Sequence, residues 1–277
     1  MHGRPAFLAT PLPLIMAAAL VVGACGGDPP VPDLEDPRDI LAVAAATTTA
    51  ATSVHAEFRA DGTISLDLMG AGLAAPIDLA DTTLSGDLDL INGNGRATFA
   101  APGILGLRGE VILVDGTLFA KTTLTGPRYR TIPIGDGTPP VTDASPSPAG
   151  LSAVLATIVD LIAHPSLAPT KGADIDCGGS RCYAVAVTLT PATLAALAAD
   201  GVDLGDLLPV DLPIPDLIDA TIDLTVRVEK PTGRLAGVAA DGALGAAGSV
   251  TLDLGLSRWD ESVDIQAPPA DQVQPGL

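Results

Sequence analysis

Apolar residues in this chain recur with two different periods. Ile64, Leu66 and Leu68 alternate with Ser65 and Asp67, and Leu84, Leu88 and Leu90 share one parity against Ser85, Asp87 and Asp89. Ile222, Leu224, Val226 and Val228 stand against Asp223, Thr225, Arg227 and Glu229; Leu252, Leu254 and Leu256 stand against Thr251, Asp253 and Ser257. A period of two predicts antiparallel strands with one apolar and one wet face. Turn residues at Asn92-Gly93-Asn94-Gly95, Asp115-Gly116 and Pro231-Thr232-Gly233 separate such runs, so successive strands are expected to join as hairpins.

Helical starts are marked three times by a capping residue followed by Pro: Asp36-Pro37, Ser147-Pro148 and Thr190-Pro191. The first helix is expected to run to about Thr52, and the third, carrying Leu194 and Leu197, to end at Asp200-Gly201. The second is the most regular, with Leu151, Val154, Leu155, Ile158 and Ile162 at helical spacing until His164-Pro165 stops it. The fold class is therefore α+β: a large antiparallel β-sheet with about three helices covering its apolar face. A sheet that curves around them without closing tightly would enclose an apolar hollow suited to acyl chains. Packing to native density would instead fill the core.

Composition sharpens this picture. Apolar residues make up 47% of the chain but aromatics only 3%, so Ala, Leu, Val and Ile supply the hydrophobicity. Beyond the N-terminus no stretch of about 18 residues is free of charges and Pro, as a spanning helix would need. The net charge of −19 excludes nucleic acid as a partner and sets the body against anionic headgroups. Membrane attachment must then come from an anchor.

The N-terminus offers one. Residues 1–24 contain Arg4, an apolar run from Leu12 to Val22 and small residues after it, which is the pattern of a secretory signal peptide. Val22-Gly23-Ala24-Cys25 resembles the lipobox of bacterial lipoproteins, in which the Cys is diacylglyceryl-modified and becomes the new N-terminus. The resemblance implies lipid anchoring at Cys25 on the extracytoplasmic face of the cell membrane, and two or more acyl chains make such anchoring stable. Residues 25–35 read as the lipidated N-terminus and a Pro-rich, acidic tether, residues 36–268 as the folded domain, and residues 269–277 as a loose tail. Cys177 and Cys182 flank turn residues between two apolar runs, and in an oxidising compartment they are expected to pair across a hairpin.

Four segments resemble the LppX/LprAFG family of actinobacterial lipoproteins: Thr52 to Phe58 as a first strand, Val111 to Lys121 as a central hairpin, Ala220 to Leu235 as a late hairpin, and Val250 to Pro268 as closing strands. The resemblance implies a half-barrel sheet whose concave face is covered by helices around a lipid-binding cavity. It further implies binding of acylated lipids or glycolipids and their movement across the cell envelope. The helix from Ser147 to His164 matches a cavity-lining helix, which makes Leu151, Val154, Leu155, Ile158 and Ile162 the expected acyl contacts. A membrane transporter would be a fitting protein partner, and the chain is expected to act as a monomer. The Cys pair and the Pro-rich stretch Val202 to Leu217 depart from the family pattern; the latter reads either as a cavity lid or as a surface crossing.

Catalytic patterns are missing from the sequence. His2 falls within the signal, while His55 on an early strand and His164 at a helix end read as structural. Gly150-Leu151-Ser152 continues as Ala153-Val154, so no nucleophile elbow forms, and no phosphate-binding glycine pattern stands between strand and helix. Neither Asp87-Leu88-Asp89 nor Asp200 to Asp206 keeps EF-hand spacing. No enzyme activity, cofactor or metal is expected. The rival to lipid carriage is an envelope scaffold or chaperone lipoprotein with a filled core.

Overall fold

Capping chemistry places the first helix where the sequence marks it. In the computed structural model, which describes residues 33–66, 75–133, 161, 164–200 and 219–274, α1 spans Pro37–Thr49. The Asp36 carboxylate accepts from the Arg38 N–H at 2.8 Å, satisfying a donor the helix leaves free. The helix stops at Thr49, short of the expected Thr52, because the Thr52 N–H donates to Asp260 Oδ1 at 2.7 Å instead of continuing the helical ladder. The second described helix, α2 (Pro191–Ala199), follows a reciprocal cap: Thr190 N–H donates to Thr193 Oγ1 at 2.6 Å, and Thr193 N–H to Thr190 Oγ1 at 3.3 Å. Apart from Leu161 and His164, the segment expected as the middle helix lies outside the described residues, as does the Pro-rich stretch 202–217.

The strands are β1 (Ser53–Leu66), β2 (Ala75–Asp78), β3 (Thr82–Asp89), β4 (Asn94–Ala101), β5 (Leu107–Val114), β6 (Thr117–Thr122), β7 (Tyr129–Pro133), β8 (Thr170–Lys171), β9 (Ile175–Asp176), β10 (Arg181–Leu189), β11 (Thr221–Glu229), β12 (Leu235–Ala243), β13 (Gly248–Ser257) and β14 (Val273–Gln274). They form one sheet in the order β14-β7-β6-β5-β4-β3-β1-β13-β12-β11-β10-β8, with β2 on β1 and β9 on β10. The path has two ends, so the sheet is not a closed barrel. Hairpins arise at the expected turns. At Asp115 (φ 49) and Gly116 (φ 73) both residues adopt the left-handed conformation that a two-residue hairpin requires.

Two expectations about the C-terminus are corrected. The residues read as a loose tail include β14, which pairs in parallel with β7 through Val273 and Tyr129 and through Gln274 and Arg130. The physical reason is the edge of β7, whose unpaired backbone groups accept even a two-residue strand. Val263 to Ile265, expected in a closing strand, instead run without a ladder partner between β13 and the short 3₁₀ turn Ala270–Gln272.

The packed core gathers under α1. Ile40, Leu41 and Ala44 on its inner side meet Tyr183 and Val185 of β10, Val226 and Val228 of β11, and Leu235 of β12, while α2 adds Leu194 and Leu197. Burying each Leu or Ile contributes about 1.5–3 kcal/mol relative to exposure, which makes this cluster the main stabilising centre of the described structure. Residues just before α1 are tied to the same place. Tyr183 Oη accepts from the Leu34 N–H at 2.9 Å and donates to Asp33 Oδ1 at 3.1 Å, and Lys230 Nζ lies 2.8 Å from Asp33 Oδ1.

Cys177 and Cys182 are joined in a disulfide, with Cα atoms 6.0 Å apart, across the β9–β10 hairpin. So short a loop puts the gain at the low end of the usual range. Replacing both with Ser is expected to lower unfolding free energy by about 2 kcal/mol, read as a lower urea midpoint with an unchanged m-value. An unchanged midpoint would show that the hairpin's hydrogen bonds alone close the loop.

Candidate functional site

Strand register assembles one apolar face from residues far apart in sequence. Val185, Val226, Val238, Leu254, Phe58, Leu84 and Phe99 are successive cross-strand partners, a continuous apolar row from β10 to β4. Directly opposed residues project to the same side, so the row lies on the face that carries the core. The Phe99 ring then covers Gly109 of β5, where an added Cβ would approach it to 2.8 Å.

Beside this row runs a second one of small side chains: Ala56, Gly86, Ala97, Val111 and Ala120, again successive partners from β1 to β6. Small residues flanked by Phe58, Leu84 and Phe99 on one side, and by Val54, Leu88 and Leu113 on the other, leave a trough in the face. Burial is uneven along it. Val54, Val185, Val226 and Leu235 are fully buried, whereas Phe58, Leu84, Phe99, Val111, Leu118 and Leu252 are only half-buried. Helix α1 packs on β10, β11 and β12, the strongly buried part of the face.

The opposite face carries the charges, as the alternation predicts, and is wet except around the buried Ile112 and Tyr129. Arg227 pairs with Asp253 through two contacts of 3.0 Å, and Glu110 takes hydrogen bonds from Tyr129 Oη at 2.6 Å and Arg96 Nε at 2.7 Å. Burial raises the Glu110 pKa, but the donors from Tyr129, Arg96 and Lys121 outweigh it and hold the carboxyl below its ordinary value. A groove of about 700 Å³ lies on this face between the disulfide hairpin and the Arg258-Trp259 turn. Its lining includes Glu57, Arg227, Glu229, Arg234, Asp253 and Arg258, a polar wall unsuited to an acyl chain.

The expected site residues divide accordingly. Cys177 and Cys182 come together; Cys25 and the five helical residues Leu151, Val154, Leu155, Ile158 and Ile162 lie outside the described residues. His55 sits on the wet face, 2.7 Å from Asp87, and Arg258 bonds Asp87 at 2.9 Å while also contacting His55. His164 accepts from the Ser166 N–H at 3.2 Å. Sequence reasoning placed no contact on the sheet itself. The signal was present in the parity of Ala56, Phe58 and Ala60, but Ala and Gly at inward positions do not announce themselves as an apolar face. Among the described residues no helix is long and apolar enough to cross a membrane, and no group of three potential metal ligands occurs.

Comparison of the backbone with solved structures finds similarity to the lipoproteins LprF and LppX. LprF from Mycobacterium bovis is 16% identical, with 84% of this chain and 96% of that chain covered and a TM-score of 0.49. LppX from Mycobacterium tuberculosis is 14% identical, with 83% and 98% covered and a TM-score of 0.48. A LolA superfamily protein from Nitrosomonas europaea aligns at 8% identity and a TM-score of 0.27, covering 86% of this chain and 97% of that one. No protein-family model and no curated protein matches the sequence.

One carboxylate of the wet face couples the fold to pH. The Thr52 N–H, and then the Thr52 hydroxyl and Arg234, hold the Asp260 carboxyl below its ordinary value of 3.8. A depressed folded pKa gives stability that is present above the ordinary value and lost as pH falls through the folded one. Asp260→Asn is therefore expected to flatten the fall in stability between about pH 5 and pH 2.5, measured as urea midpoints across that range. Parallel curves for variant and parent would place the acid sensitivity elsewhere.

Proposed function

We propose that this chain is a lipid-anchored envelope lipoprotein that binds acylated lipids or glycolipids against the apolar face of its sheet and helps move them across the cell envelope. The observation that carries the reading is the row from Ala56 to Ala120, buried at Ala56 and Gly86 but half-buried from Ala97 onward, beside the half-buried Phe58, Leu84 and Phe99. A packed core has no reason to leave large apolar side chains half-covered beside small ones, whereas an acyl chain laid along the trough would complete their burial at about 25 cal/mol per Å². In this reading the sheet curves as a half-barrel with helices over its concave face, and the helically patterned segment 147–164 supplies the facing wall through Leu151, Val154, Leu155, Ile158 and Ile162. Cys25 supplies the anchor, and the mechanism is sequestration, with no covalent step.

Native mass spectrometry of protein extracted from its own host without detergent exchange is expected to show a co-purifying acyl lipid. Ala97→Phe, which fills the trough, is expected to cut that lipid severalfold while leaving the unfolding midpoint near the parent's. A filled core would respond in the opposite way, losing about 1–3 kcal/mol to overpacking with no change in bound lipid. Cys25→Ser is expected to move the chain from the membrane fraction to the soluble one; retention in the membrane would refute anchoring at that residue.

A further inference from the structure

The trough does not end in an apolar residue. The partner of Ala120 on β7 is Arg130, so the row Ala56, Gly86, Ala97, Val111, Ala120 closes on a guanidinium that shares the apolar face. At about 4.8 Å between strands, the row runs roughly 24 Å from Ala56 to Arg130. Neighbouring residues on β7 obey the opposite parity: Tyr129 projects to the wet face, where it bonds Glu110 and Lys121.

On the wet face Arg59 and Arg108 stand exposed to water, and the remaining arginines are paired, Arg227 despite a buried Nε without a partner. Arg96 pairs with Glu110, Arg227 with Asp253, Arg234 with Asp260 and Arg258 with Asp87. Arg130 is half-buried, and its Nε is buried with no hydrogen-bond partner among the described residues. An unpaired cation on an apolar face is costly, and in a chain of net charge −19 acidic partners are plentiful elsewhere.

We infer that Arg130 binds the anionic headgroup, carboxylate or phosphate, of an acyl lipid whose chain lies along the trough from Ala120 toward Ala56. This rests on the lipid-binding reading above and adds to it the charge of the ligand and the direction in which it lies. The planar fork of donors suits a two-oxygen acceptor, and the charge-assisted bond forms in partly dry surroundings where it is strongest. A neutral glyceride or a fatty ester offers no charge to the guanidinium and would bind by apolar burial alone.

The test uses the full chain, stripped of endogenous lipid, with a fluorescent fatty acid and its methyl ester as probes, and phosphatidic acid and diacylglycerol as competitors. The parent is expected to bind the acid at least about tenfold more tightly than the ester, and to be displaced by phosphatidic acid in preference to diacylglycerol. Arg130→Met is expected to erase both preferences while keeping ester binding, and Arg130→Lys to restore much of them. Inorganic phosphate alone is expected not to displace the acid; displacement by phosphate at millimolar concentration would mean a free-anion site and would overturn the headgroup assignment. Equal binding of acid and ester by the parent, or an undiminished preference in Arg130→Met, would overturn the inference and leave lipid binding intact. Failure of the parent to bind either probe would instead remove the lipid-binding reading itself.

Discussion

The structure depends on one constraint, which is that a sheet with alternating sides must hide one of them. Along the path from β7 to β10 the inward residues are apolar almost without break, and the outward ones carry the charge. Among the described residues, α1 packs on β10, β11 and β12. Where α1 lies the core is dense; beyond it, on β3, β4 and β5, Leu84, Phe99 and Val111 of the same face are half-buried although Gly86, Ala101 and Leu113 beside them are buried. The described face thus grades from a dense part under α1 to one where large apolar side chains are only half-buried.

Much of the architecture was legible in the sequence where chemistry repeats. Strands β11 and β13 alternate Leu, Ile and Val with Asp, Thr and Arg, so both their existence and their facing follow from pattern. The caps at Asp36 and Thr190 and the turn at Asp115-Gly116 announce themselves by residue type. Strand β4 was harder, because its inward positions are Gly95, Ala97, Phe99 and Ala101, and small residues carry little hydrophobic signal. Two-residue strands such as β8, β9 and β14 have no period at all. The sheet trough and the facing of Arg130 emerge only once register is known, because no local pattern says which residues five strands apart share a row.

The long ladder between β1 and β13 is the seam of the sheet. It joins His55 through Ile64 to Ser257 through Gly248, so the first and the last long strands lie side by side at the centre. Everything from β3 to β7 builds outward on one side, and everything from β12 back to β10 on the other. This arrangement brings the half-buried side and the packed side into one continuous apolar surface, although each is assembled mainly from local hairpins. The disulfide hairpin and the polar groove belong to the wet side of the packed half, separated from the trough by the thickness of the sheet.

The pairing of β14 with β7 carries a consequence for how the chain reaches its final state. The edge of β7 is covered by residues that follow it by roughly half of the sequence, and until they arrive the backbone groups at Tyr129 and Arg130 lack this partner. An open edge invites pairing with a second copy, and β14 covers part of this one. Its two residues contribute little to thermodynamic stability, and their effect is instead to shorten the length of edge that β7 leaves open.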